Sequence, residues 1–215
     1  MALVKNDLIS DLKATFKKMK DAGENASDSD FSSGIADACK AFIEAGDITI
    51  VATGTVSSGV FTGGGSGHIS LTSSTMSTAI DTATASMKEM TSGGDDVLAS
   101  ALFSGLNAMI SAGTVEIDVS GTTVSPSGAT VPPSSGKTKG TGLTCTDGVS
   151  PQDFVSKTKK IFKDMKDKAT ESGFNGDNYL AEQLADVINT YIATGTVTTS
   201  GQGALSGVTG TGKIA

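Results

Sequence analysis

The stretch AFIEAGDITIVATGTV, residues 41–56, decides how the chain is organised, because its hydrophobic period changes at Gly46. Before this glycine, apolar residues follow the three- and four-residue spacing of a helix and end at Ile43. After it, Ile48 and Ile50 belong to a two-residue alternation that is typical of a strand. Glycine adopts the left-handed backbone that often ends a helix at little cost. We therefore expect a helix that stops at Gly46 and a short strand that follows directly.

The same junction recurs twice in the chain, as NAMISAGTVEIDVSGTTV from Asn107 and as NTYIATGTVTTSGQG from Asn189. Each copy follows two amphipathic helical patterns and precedes a segment rich in Gly, Ser and Thr. This recurrence predicts internal duplication. The expected fold class is α+β, with three tandem helical-hairpin repeats, each followed by a short strand and an extended Gly/Ser/Thr-rich β tail. The expected units are residues 1–72, 73–144 and 145–215.

The composition limits both the core and the possible ligands. The 215 residues include 27 glycines, only 37% are hydrophobic and 5% are aromatic, so each unit is expected to have a thin core. The net charge is −7, and all 16 basic residues are lysines. An acidic chain lacks the cationic surface that nucleic acids require. The absence of arginine also counts against bidentate phosphate binding.

The cysteines and the apolar segments indicate the expected compartment. Cys39 and Cys145 are too few for a disulfide framework, and we interpret both as free thiols in a reducing compartment. The opening segment MALVKNDLISDLK has no apolar stretch of about 7–15 residues, so we expect no secretory signal. No run approaches the roughly 18 apolar residues that would indicate a membrane-spanning helix.

The motifs that resemble catalytic or ligand sites fail on their context. His68 is the only histidine and lies in GGGSGHIS, which we interpret as a surface loop without positioned partners. GVTGTGKI, residues 207–214, resembles part of a phosphate-binding loop, but Ile214 stands where Ser or Thr is needed and no helix follows. The acidic clusters lack the calcium-loop pattern. We predict no catalytic residue, metal site or cofactor, and no enzymatic activity.

The helix-to-strand junctions are the expected interaction sites. A two-helix hairpin cannot bury both of its apolar faces alone, and a lone strand leaves unpaired backbone groups. Either the three hairpins share one core or each docks on another protein, and the strands are able to add to a neighbour's sheet. The residues expected at these contacts are Phe42, Ile43, Ile48, Ile50, Met109, Ile110, Val115, Ile117, Tyr191, Ile192 and Val197.

The junction pattern [FMY]-I-x-[AT]-G-x-[IV], with a Thr/Val/Gly tail that closes with G-x-G-x-I, resembles small virion structural proteins of tailed bacteriophages. It is carried by residues 191–197 and 210–214 and by their counterparts in the first two units. The resemblance implies a cofactor-free structural or assembly role in the neck, tail or capsid of a virion, made in the host cytoplasm.

The resemblance also implies the partners. These are other virion structural proteins, copies of the chain itself, or both, in a symmetric assembly without nucleic acid or membrane contact. The docking elements would be the helical hairpins and the β tails. A multivalent adhesin or binding module, whose Thr/Gly tails contact a ligand, is the alternative.

Overall fold

The computed structural model describes residues 3–145 and 150–215, which contain six α-helices and eight β-strands. The helices are α1 (Lys5–Ala22), α2 (Asp28–Glu44), α3 (Ser74–Met87), α4 (Gly94–Ser111), α5 (Pro151–Lys168) and α6 (Gly176–Ile192). The strands are β1 (Ile48–Val56), β2 (Gly59–Ser70), β3 (Thr114–Val124), β4 (Thr130–Val131), β5 (Ser135–Thr141), β6 (Thr144–Cys145), β7 (Gly195–Gly201) and β8 (Val208–Ile214).

The strands form one closed antiparallel barrel. Six of them follow one another around it in the order β1, β2, β3, β5, β7 and β8, and β8 pairs with β1 to close the circle. The two short strands add to it, β4 beside β3 and β6 beside β7. Closure satisfies the backbone groups that an open sheet would leave unpaired at its edges.

The helices form a second closed ring. Each helix packs against the next one along the chain, and α6 returns to pack against α1. Ion pairs between Lys5 and Asp186 and between Lys13 and Glu182 span this last contact. Along the chain, β1 and β2, β3 and β5, and β7 and β8 are consecutive antiparallel pairs. In each pair the chain enters the barrel next to the helices, turns at the opposite end of the barrel and returns to the helices. The molecule therefore has a helix end and a turn end.

The predicted arrangement of the fold was wrong. The sequence predicted three tandem helical-hairpin repeats with extended β tails, whereas the tails are return strands of one shared barrel. The segment after Val56, for example, is the twelve-residue strand β2, which pairs with β1 and β3. Burying backbone N–H and C=O groups without hydrogen-bond partners costs free energy, so the tails form paired strands of the barrel and do not lie unpaired on the surface.

The glycines at the helix-to-strand junctions, among them Gly46 and Gly113, allow the helix ends to lie close to the end of the barrel. Gly46 follows the end of α2 but does not have a positive φ, so the expected left-handed stop was also wrong. A Cβ at Gly46 would lie 2.7 Å from Leu3 Cδ2 and 3.0 Å from Ile214 Cδ1. A Cβ at Gly113 would lie 2.6 Å from Ile69 Cδ1. Only glycine leaves the room for this close approach.

The core is continuous from the barrel interior to the helices. On β1, the inward residues Ile48, Ile50 and Ala52 are buried, as two-residue alternation requires. The barrel is narrow, and several inward positions hold glycine because a neighbouring strand lies close. A Cβ at Gly65, for instance, would stand 2.1 Å from the carbonyl oxygen of Asp118. Leu205 is fully buried at the turn end and fills the barrel there.

Candidate interaction surface

The described residues contain no cluster of potential metal ligands. Among residues 3–145 and 150–215, no three His, Cys, Asp or Glu side chains lie together in a group able to hold a metal ion. His68 lies on the outside of β2, not in a loop, and its Nδ1 is 3.1 Å from the carbonyl oxygen of Gly46. Within the same ranges, no helix is long and apolar enough to span a membrane.

Both cysteines are free thiols, as predicted. Burial raises the pKa of the Cys39 thiol to about 12 and that of Cys145 to about 11. A thiol with so high a pKa is protonated at neutral pH and is a poor nucleophile. The cysteines therefore supply packing volume rather than reactivity.

A groove of about 300 Å³ lies between α5 and α6. Ile161 and Val187 are among its lining residues, and lysines and aspartates line it as well. Lys160 donates to Asp164 and lowers the pKa of that carboxyl group. The Tyr179 hydroxyl also donates to Asp164 over 3.0 Å. Lys160 and Tyr179 thus share Asp164 as a hydrogen-bond acceptor in the lining of the groove.

The distribution of charge along the barrel marks a different surface. Residues 48–67, 119–136 and 187–212 contain no Asp, Glu, Lys, Arg or His. These stretches supply the turn-end portions of β1, β2 and β3, and most of β7 and β8. The exception is β5, where Lys137 and Lys139 bind Glu116 of β3 and lower its pKa to about 2. The barrel is thus uncharged toward its turn end on the side away from these lysines.

Near the turn end, the outward residues of β1 to β4 are Thr and Val. One row crosses all four strands in register, from Thr55 through Val60 and Val124 to Thr130. A second row joins Thr53, Thr62 and Thr122. Val51 lies on β1 two residues before Thr53, nearer to the helix end. We call these eight exposed residues the valine–threonine face.

The valines of this face are unusually open to solvent. The exposed fraction is 64% for Val51, 55% for Val60 and 43% for Val124. They make up three of the five large apolar residues that are exposed in the described part of the chain. Val60 and Val124 stand opposite each other on β2 and β3, so their apolar surfaces are contiguous. Contiguous exposed apolar surface is typical of interaction sites.

The structure places the eleven expected contact residues in the core instead. Each is exposed by 3% or less, so their side chains pack inside this chain. They are Phe42, Ile43, Ile48, Ile50, Met109, Ile110, Val115, Ile117, Tyr191, Ile192 and Val197. Tyr191 also donates its hydroxyl hydrogen to Asn107 Oδ1 over 2.8 Å. These buried residues belong to the continuous core that the helices share with the barrel, and none of them lies on the valine–threonine face.

Comparison with known proteins identifies no relative: no family model, no curated protein and no solved structure matches this chain.

Proposed function

We propose that the chain is a non-enzymatic structural or assembly protein that docks on other protein subunits. The proposed setting is a bacteriophage virion, in the neck, the tail or a capsid-associated position, and it follows from the junction motif alone. The docking role rests on one observation, the uncharged valine–threonine face on a chain whose charges lie elsewhere. Protein interfaces are depleted of charge at their centres, which agrees with such a role.

The architecture favours docking over catalysis for a second reason. The groove between α5 and α6 holds polar groups that bind one another, whereas a small-molecule site is usually a deep cavity whose polar groups converge on the ligand. The exposed β-branched residues lose little side-chain freedom when a partner covers them, because their χ1 angles are already restricted. A rigid barrel that presents such residues is suited to forming a contact with another subunit.

The test measures incorporation into particles. Purified virions from the phage that encodes the chain should contain it, as shown by quantitative mass spectrometry. Thr122→Lys places a charge in the middle of the valine–threonine face and should reduce the amount incorporated at least tenfold. Ala85→Lys, at an exposed position of α3, should leave it unchanged.

Two results would refute the proposal. Virions that lack the wild-type chain would remove the virion setting. Equal incorporation of Thr122→Lys and Ala85→Lys would remove the docking role of the face. Specific binding of the purified chain to a glycan array, without incorporation into virions, would favour the adhesin alternative.

A further inference from the structure

We propose that Asn175 is a site of self-modification, at which the chain converts its own side-chain amide into a carboxylate. The reacting groups are the side chain of Asn175 and the backbone nitrogen of Gly176, which directly follows it. This inference goes beyond the proposed docking role and does not depend on the valine–threonine face. Three features support it: the Asn–Gly pair, the hydrogen bond that the asparagine accepts, and the lysines beside it.

The Asn–Gly pair exposes a backbone nitrogen to the side chain before it. The chain has six asparagines, and Asn175 alone is followed by glycine. Glycine has no Cβ to shield its own nitrogen. Packing does not require glycine at this position, because Gly176 has no positive φ and a Cβ there would lie 3.6 Å from Met165 Cε and from Phe174 Cε1, which is an ordinary contact distance. A larger residue would therefore fit at position 176 but would shield the nitrogen.

The start of α6 prepares both reacting groups. Asn175 is exposed and is the N-cap of this helix, where its Oδ1 accepts a hydrogen bond from the Asn178 N–H over 3.1 Å. Negative charge develops on Oδ1 when a nucleophile adds to the amide carbon, and a donor already aimed at this oxygen stabilises that charge. Gly176 is the first residue of α6, so its N–H has no carbonyl partner within the helix. Its nitrogen is thus able to react without breaking a hydrogen bond of the helix.

The reaction needs only water besides the chain itself. The Gly176 nitrogen loses its proton and forms a bond to Asn175 Cγ, while the bond from Cγ to Nδ2 breaks. Nδ2 takes up a proton and leaves as ammonia, and a five-membered succinimide ring remains. Water then opens the ring at one of its two carbonyl carbons. Opening at Cγ gives aspartate on an unchanged backbone, and opening at the main-chain carbonyl carbon gives isoaspartate, in which the backbone runs through Cγ.

The aspartate product would meet positive charge. Asn175 lines a cleft between α1 and α6 together with three lysines of α1 and two aspartates, so the lining has an excess of positive charge. The lysines are Lys13, Lys17 and Lys20. A carboxylate at residue 175 would face this cluster and would also interact favourably with the N-terminal end of α6. Formation of aspartate therefore strengthens the contact between α1 and α6 that closes the helix ring, whereas isoaspartate lengthens the backbone at the cap and weakens it.

Peptide mass spectrometry of the folded chain tests the modification. The wild type is incubated at 37 °C and pH 8 for several weeks and cut with a glutamate-specific protease, which releases residues 172–182. This peptide should gain the mass difference between an amide and a carboxylic acid, and chromatography should separate it into an aspartate and an isoaspartate form. Asn178 lies in the same peptide and is followed by Tyr179, so it should react at least tenfold more slowly than Asn175.

Gly176→Ala is the matched variant, because a Cβ at this position meets only ordinary contacts. Its circular dichroism spectrum should equal that of the wild type, and its rate of modification at Asn175 should be at least tenfold lower. The inference is overturned if Asn175 of the folded wild type survives as long as Asn178, or if Gly176→Ala reacts at the wild-type rate.

Asn175→Asp tests the effect of the product on the helix ring. The added charge at the start of α6 should raise the midpoint temperature of unfolding by roughly 1–3 °C at neutral pH. Asn25→Asp adds the same charge beyond the C-terminal end of α1 and should not raise the midpoint. A midpoint of Asn175→Asp that does not exceed that of the wild type would refute the strengthening of the ring.

Discussion

Two buried threonines inside the barrel should be replaceable by valine with a gain in stability. Thr138 on β5 and Thr199 on β7 are 0% and 1% exposed, and neither Oγ1 atom has a hydrogen-bond partner. They are close to each other, since Thr138 pairs with Gly201 and Thr199 with Gly140. Valine has nearly the same shape as threonine and lacks the hydroxyl group.

The expected magnitude follows from the cost of burying an unpaired hydroxyl. That cost is about 1–3 kcal/mol in proteins, and valine avoids it. Thr138→Val and Thr199→Val should each raise the free energy of unfolding by about 1 kcal/mol. For a chain of this size the midpoint temperature should rise by roughly 2–4 °C. Because the two sites are neighbours, the double variant need not show the sum of the single effects.

Urea unfolding followed by circular dichroism measures these changes. Thr123→Val is the matched control, because Thr123 is also fully buried on an inward position but donates to the carbonyl oxygen of Pro133 over 2.5 Å. This control should lose about 1 kcal/mol, since it leaves that carbonyl without its partner. If Thr138→Val and Thr199→Val lose stability as Thr123→Val does, the barrel interior satisfies their hydroxyls and the reasoning is wrong.

Three further predictions test other parts of the fold. Gly65→Ala should destabilise the barrel by at least about 2 kcal/mol in urea unfolding, because its Cβ would collide with the Asp118 carbonyl oxygen, and an unchanged midpoint would show that the strands can separate there. Glu116→Gln removes a carboxylate whose pKa is lowered to about 2, so the stabilisation that it supplies is present above pH 4.5 and lost as pH falls toward 2. The difference between wild type and Glu116→Gln should therefore shrink across that window in acid titrations, and a difference that grows would contradict the assignment. Ser150→Ala removes the capping box with Asp153 at the start of α5 and should cost about 1 kcal/mol in thermal unfolding, whereas no loss would mean that the first turn is held by packing alone.

The sequence was sufficient to predict local structure where hydrophobic periods were clear. The helical spacing of Leu8, Ile9, Leu12, Phe16 and Met19 indicates a helix at the start of the first unit, and three of the five, Leu8, Leu12 and Phe16, are the buried residues of α1. The change of period at Gly46 predicted the end of α2 and the start of β1 within two residues. Such patterns depend on neighbours in the chain, which a sequence displays directly.

The pairing of the strands could not be predicted from local hydrophobic periods. Ile48 pairs with Ile214, more than 160 positions away, and a two-residue alternation does not say which strand lies beside which. For this reason the tails were predicted as extended. An apolar stripe likewise does not reveal whether it packs inside its own chain or against a partner. Phe42 and the other ten expected contact residues were predicted at an interface for this reason, whereas they lie in the core. The three unit boundaries stay predictions.

The valine–threonine face has a signal in the sequence, but this signal is not a motif of catalytic or ligand-binding residues. Residues 48–67 and 119–136 are free of charge and contain many Thr and Val residues. A search for catalytic patterns does not register the absence of charge. The outward residues of a strand become informative only when the inward ones have been assigned, because both follow the same two-residue period.

The pairing of β1 with β8 has a consequence for how the chain acquires its fold. One edge of β1 pairs with β8, which lies more than 150 residues later in the chain. The barrel therefore cannot close until β8 has been synthesised. Contacts between such distant segments form slowly, because a large loop must be ordered before they are made. Until β8 arrives, the edge of β1 is open to strands of other molecules. Conditions that slow or interrupt synthesis before Val208 should therefore favour aggregation over a stable intermediate.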